Sequence, residues 1–356
     1  MVLLIVSFTL LYSLTPPATR AAAASDGCSP HCTCEGDTFA LCTGKDLHDL
    51  RHFRINSFGR SLELLYLHNI SATEVPPAAF RSSELSTLQE MKLTGSPIKK
   101  LHRGAFYNLN LLRILDLQNN NISSIHKETF NNSELNVLRL NNNKISRVRF
   151  IDKLPNLRIL HLQHNLIDKL EKTSFCSSPD FDSKIEKIVL HHNKIEKMWH
   201  STFSCLKELV ELDLSHNKLL TLKANTLSHS KKLTTLKAND NHLQQIHGIW
   251  KVPSLVQLHL QNNQIEKLLT PVFGRKDIVS NIRNIDLSNN NLQSISDKRV
   301  FSYLRNLNFL RLSDNNISSI AKEVFLGNSQ LIYVNVRGNP LKDYTFINKR
   351  RTVLEK

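Results

Sequence analysis

Over residues 62–341 the chain repeats one arrangement: two leucine-type residues two apart with polar neighbours, then an asparagine three residues on. Leu115-Asp116-Leu117-Gln118-Asn119-Asn120 recurs at 138–143, 160–165, 188–193, 212–217, 258–263, 285–290 and 310–315. Looser copies stand at 65–70, 91–96, 236–241 and 334–339, so twelve copies follow one another every 22 to 28 residues. Residues two apart on a strand share a face, which sends Leu115 and Leu117 inward and Asp116 and Gln118 outward. The asparagine side chain can bond backbone groups at the turn that ends each strand. A second apolar pair, such as Ile122 and Ile125, carries the chain over the core. Thirteen residues after the second leucine comes a phenylalanine: Phe80, Phe106, Phe130, Phe175, Phe203, Phe273 and Phe325, with Leu227 and Val300-Phe301 in two further repeats. The two shortest repeats use Ile151 with Leu154, and Ile249 with Val252. No single turn of this kind buries its apolar face alone, so the turns stack on a shared core and both ends need covers.

The pattern resembles the extracellular leucine-rich repeat, L-x-x-L-x-L-x-x-N-x-L, over about four fifths of the chain. The resemblance implies an α/β solenoid: a right-handed horseshoe of about twelve repeats with a parallel sheet on its concave side. Repeat, spine and N-terminal cysteines together look like those of Toll-like receptor ectodomains, small leucine-rich matrix proteins and secreted insect immune proteins. Pattern recognition in innate immunity or extracellular adhesion is what that likeness implies; the fold alone assigns neither. Residues 338–341 are similar to the lead-in of the family's C-terminal cysteine cap, yet no cysteine follows. Either Tyr344, Phe346 and Leu354 close that end or the chain is part of a longer one.

Residues 2–14 form an apolar run followed by Pro16-Pro17 and a stretch of alanines at 21–24, which reads as a signal peptide over 1–24. No other stretch reaches the ~18 apolar residues of a membrane span. The expectation is a secreted, extracellular protein with a cysteine-rich cap at 25–60, repeats at 61–341 and a basic tail at 342–356. Six cysteines support export. Cys28, Cys32, Cys34 and Cys42 cluster behind the signal and read as two disulfides in a small cap. Zinc is the competing reading, against which stand the oxidising compartment and the lack of a C-x2-C pair. Cys176 and Cys205 lie just past spine positions of adjacent repeats, where a strand spacing of about 4.8 Å brings a bridge within reach, two buried free thiols being the competing reading.

The outward positions of the strands can be read directly. Nothing in the fold asks for apolar residues at Ile114, Val137 and Ile159, nor for Phe309 and Tyr333. Exposed apolar groups among charges are how protein interfaces anchor, although strand propensity also favours β-branched residues there. The expected partner-binding face joins Ile114, Val137, Arg139, Ile159, His161, His191, Asp213, Lys237, His259, Asp286, Phe309 and Arg311. Among 16 histidines, His164, His192 and His216 share one register on three consecutive repeats. Stacked imidazoles could hold a metal or repel on protonation. His-Asn is also an ordinary turn pair in the family, so no metal and no cofactor is expected.

Lys and Arg outnumber Asp and Glu, 46 to 31, a balance that attracts anionic surfaces. The excess is densest along one lateral edge, at Lys144, Arg147, Lys169, Lys194, Lys197 and Lys218, with Asp168 and Glu196 offsetting it in part. A heparan-like polysaccharide could bind there by counterion release. Stacking aromatics are not interleaved along that edge, so no nucleic-acid partner is expected. Glycosylation acceptors stand at Asn69, Asn121, Asn131 and Asn316, and leave the stretch between Asn132 and Asn315 clear. No nucleophile elbow, zinc-protease helix or phosphate loop occurs, so the protein is expected not to be an enzyme. The function expected is recognition of an extracellular protein or glycan by the concave face, in innate immunity or another extracellular setting. The alternative is a matrix or polysaccharide binder that uses its basic edge.

Overall fold

The computed structural model describes residues 31–51, 53, 61–151, 154–176, 178, 181–278, 280–347 and 352–356. The expected signal peptide and Cys28 lie outside the described residues. Among these, fifteen strands form one sheet in strict chain order, from Cys32–Glu35 to Val353–Glu355. Two belong to the cap and one to the C-terminal stretch, which leaves the twelve that the repeat spacing predicts. Ile114–Asp116, Val137–Arg139 and Ile159–His161 are typical: three residues each, parallel and in register. Parallel pairing between neighbours requires the chain to return across the core after every strand. Each coil makes that return in irregular segments.

The inward leucines meet the expectation. Leu115, Leu117, Leu138, Leu140, Leu160 and Leu162 are all fully buried in one continuous core. The asparagines form a second, polar ladder. Asn143 Nδ2 donates to the carbonyls of Leu117 (2.9 Å) and Leu140 (3.1 Å), and Asn143 Oδ1 accepts from Ile122 N–H (2.9 Å). Asn165, Asn193, Asn217 and Asn241 repeat the scheme on the following coils. One side chain thus satisfies buried backbone groups from two adjacent coils, groups that would otherwise cost roughly 1–3 kcal/mol each. Just before each of these asparagines the chain turns left-handed. Asn119, Asn142, His164, His192, His216 and Asp240 all have φ between 50° and 56°. Asn, Asp and His are the residues found there most often after glycine, and they hold ten of the twelve turns, with Gly95 and Gly338 in the other two.

The phenylalanine spine lies behind the sheet. Phe80, Phe106 and Phe130 stack at 5.9 and 5.7 Å, and Phe273, Phe301 and Phe325 at 5.6 Å. One of the two short repeats departs from expectation: Phe150, fully buried, takes the spine place and meets Phe130 edge-on at 5.7 Å. A shorter return brings an earlier residue to the same depth, so counting thirteen positions misses it. Return segments carry 3-10 turns at Ser83–Leu85, Ala224–Leu227 and Ile249–Lys251, and no α-helix occurs among the described residues. Helical pieces this short close i to i+3.

Both ends are covered. Cys32–Glu35 pairs antiparallel with Phe39–Thr43, and Cys32 is bonded to Cys42 directly opposite. Cys34 is disulfide-bonded as well. Phe53 closes the spine against Phe80 at 5.9 Å. At the other end Val353–Glu355 continues the sheet beside Tyr333–Asn335, and buried Phe346 lies 6.1 Å from Phe325. Cys176 and Cys205 are bonded to each other across adjacent coils. Stacking of two neighbouring returns in the same direction places their Cα atoms 5.5 Å apart.

Candidate binding surface

Two rows of side chains rise from the open face of the main sheet, one on each side of the buried leucines. The strand register aligns Glu90, Ile114, Val137, Ile159, Lys187, Glu211 and Thr235 in the first row, which continues through Gln257 and Asn284 to Phe309. The second row aligns Lys92, Asp116, Arg139, His161, Val189, Asp213 and Lys237, and continues to His259, Asp286 and Arg311. All twelve residues expected on the partner-binding face are among the described ones, and eleven of them fall into these two rows. His191 stands one strand position further, beyond Leu190 on the same side.

Exposure along the rows is uneven. Ile114, Val137 and Ile159 are half-buried neighbours that make one apolar strip, and Phe309 is exposed 6.2 Å from Tyr333. Asp116, Val189 and Asp213 are buried although they point to the open side. Strands about 4.8 Å apart let long neighbours lean over short ones. Asp116 has Arg139 at 3.9 Å and Asp213 has Lys237 at 3.9 Å, while Asp213 also accepts from Ser215 N–H (3.0 Å) and hydroxyl (2.6 Å). Asp213 therefore stands at the floor of the face, engaged by its own chain.

The charges of this face pair across strands. Lys187 (2.9 Å) and Lys237 (3.2 Å) share Glu211, and Arg311 lies 3.8 Å from Asp286. Burial works to raise the pKa of Glu211, but hydrogen bonds from the two lysines hold it below the ordinary carboxylate value. Burial raises Asp116 above its ordinary value. Burial also depresses His161, with the positive charge of Arg139 adding to it, and depresses His191 and His259. A face whose charges are already compensated offers orientation and specificity to a partner, while its apolar strip offers binding energy.

The lateral edge is basic but less so than its residue count implies. Arg147 is paired with Asp168, and Lys169 lies 3.5 Å from Glu171. Lys144, Lys194, Lys197 and Lys218 form no ion pair with the described residues. Lys169 and Lys197 sit opposite each other on two short parallel strands. Contrary to expectation, an aromatic does stand on this edge: Trp199 is 44% exposed and lines an open cleft of ≈ 330 Å³ with Lys197, His200 and Lys223. Its signal in the sequence is a tryptophan just past the second apolar pair, where Glu171 stands in the preceding repeat. Of the glycosylation acceptors, Asn69, Asn131 and Asn316 are exposed and Asn121 is half-buried. No helix among the described residues is long and apolar enough to cross a membrane.

The sequence profile of the family described as Leucine rich repeat matches residues 60–122, 111–167, 183–243 and 280–341. The chain is 30% identical over 236 residues to osteomodulin of Bos taurus, covering 65% of this chain and 48% of that protein. It is 29% identical over 208 residues to lumican of Coturnix japonica, covering 55% of each. The chain thus spans about half the length of these curated relatives. Among solved structures it is similar to a chain of the Drosophila Toll–Spatzle complex, at a TM-score of 0.69 and 21% identity, over 84% of this chain and 41% of that one. At that identity the likeness is one of fold.

Proposed function

Because the chain belongs to the leucine-rich repeat family, we propose that it is an extracellular recognition protein that takes a protein partner on the open face of its main sheet. The observation that carries this reading is the strip of Ile114, Val137 and Ile159, held side by side by strand register and half-open to solvent. Nothing in the core needs those three side chains. Full burial of an exposed aliphatic side chain of this size is worth about 1.5–3 kcal/mol, and these half-buried ones have roughly half of that left to gain, so the strip supplies anchor energy that the self-paired charges do not. Arg139 and His161 flank it and would set orientation. The sulfur-bonded cap and the matrix-type relatives support an extracellular setting.

Capture from extracellular fluid with wild-type and Ile159→Asp baits tests the reading. The wild type should retain a partner, and Ile159→Asp should lose at least about tenfold while melting at the same temperature, since a strip residue is not core. Arg139→Glu should weaken the same partner. Equal capture by the Ile159→Asp bait overturns the proposal. A second reading, polyanion binding, rests on Lys144, Lys194, Lys197 and Lys218 of the lateral edge, which form no ion pair with the described residues. If that edge carries function, the protein should leave a heparin column only at high salt, and reversing Lys194 and Lys197 should abolish the retention.

A further inference from the structure

Three histidines at the rim of the sheet meet in an arrangement that the repeat does not require. His164 and His192 hold the left-handed turn position, at φ 55° and 54°, where other coils place Asn142, Asp240 or Asn262. A fixed backbone direction on successive coils brings their rings to 4.5 Å, with 14° between the planes. His191 occupies the preceding position, which is Gln163 or Gln261 in other coils. Its ring stands edge-on to both, 5.3 Å and 87° from His164, and 5.1 Å and 79° from His192. One ring nitrogen from each of the three lies within 4.8 Å of the others. His191 Nδ1 is shielded from solvent with no hydrogen-bond partner among the described residues, as are Gln163 Oε1 and Gln261 Oε1 at the same place on other coils, so what sets this coil apart is the meeting of three rings.

We propose that His164, His191 and His192 form a binding site for a borderline divalent transition ion of the zinc class. Imidazole nitrogens suit such ions, and three protein ligands with a fourth position open for water or a partner's side chain is a common arrangement. Two nitrogens on one zinc, each about 2.0–2.1 Å from it, stand at most about 4.2 Å apart. Rotation of the exposed His164 and His192 side chains closes that gap and fans the stacked rings until each plane points at the ion. His216 continues the stack, 4.2 Å from His192, but its Nε2 lies 3.5 Å from Asp240, so it stays outside the ligand set. Every cysteine among the described residues is disulfide-bonded, so no thiolate competes for the ion.

The test needs no partner, so its outcome is separate from that of the recognition reading. Zinc is titrated into the full chain at neutral pH by calorimetry, with cobalt absorption as a second readout of nitrogen ligation. One ion should bind per chain. His191→Gln, and the double change His164→Asn with His192→Asn, should each weaken it at least about tenfold. His216→Asn should leave it within about twofold. All these changes import residues that the chain's own coils carry at the same places or tolerate there, so circular dichroism and melting without zinc should match the wild type. No saturable binding at millimolar zinc, or wild-type affinity in the His191→Gln and double-substituted proteins, overturns the proposal.

Discussion

The first outward row changes character halfway along: Ile114, Val137 and Ile159 are followed by Lys187, Glu211 and Thr235 in the same register. The backbone does not notice. The amides of Val137, Ile159, Lys187 and Glu211 each donate to the preceding coil at 3.0 Å, and Leu138, Leu160, Ile188 and Leu212 beside them are equally buried. Two stretches with one scaffold and opposite surface chemistry show that the solenoid constrains inward positions and leaves outward ones free. The change falls within the longest repeat, the one that carries Cys176. Surface chemistry on such a scaffold therefore reports on contacts made rather than on folding.

That contrast can be broken in graded steps. Leu160→Ala behind the apolar stretch and Leu212→Ala behind the ionic one should each cost about 2–5 kcal/mol in urea denaturation. A loss under about 1 kcal/mol at either place would mean that the interior is not continuous. Asn165→Ala and Asn217→Ala should come next, on the order of 1–3 kcal/mol apiece, from buried backbone groups left without their side-chain partner. Outward changes should be smaller. Glu211→Gln releases Lys187 and Lys237 and should cost under about 1 kcal/mol, less still at high salt. Ile159→Ser should fall within about 0.5 kcal/mol of wild type, yet weaken partner capture.

The smallest effect expected is on pH dependence. Burial holds the pKa of His259 below its ordinary value, with the charges of Lys237 and Arg311 on the same side and Asp286 opposing. On acidification the unfolded chain therefore takes up this proton first. Stability is complete above the ordinary imidazole range, near ~6.5, and declines as pH falls below it. Replacing His259 by Gln should flatten that decline in melts run across this window, and an unchanged slope would refute the assignment.

Much of the fold was legible because its signal is periodic. A repeat of Leu115, Leu117 and Asn120 announces a strand, its inward side and its turn before any neighbour is known. The outward rows were legible to the residue for the same reason. What escaped was set by neighbours: the depth of Asp116 and Asp213 depends on how far Arg139 and Lys237 reach. Phe150 escaped because a shortened return shifts register. Val353–Glu355 escaped because it extends the sheet without the asparagine that marks most of the turns. Trp199 escaped because one exposed aromatic leaves no period to detect.

By itself the sequence determined the coil, its stacking order and which side of each strand faces solvent, since these follow from spacing along the chain. Tertiary structure alone decided which outward charges neutralise one another, which acids sink to the floor of the face, and that His191 turns edge-on beside two stacked rings. Those outcomes depend on side chains some two dozen residues apart in sequence meeting across a gap of about 4.8 Å. Lengths and rotamers decide there, and spacing has nothing to say.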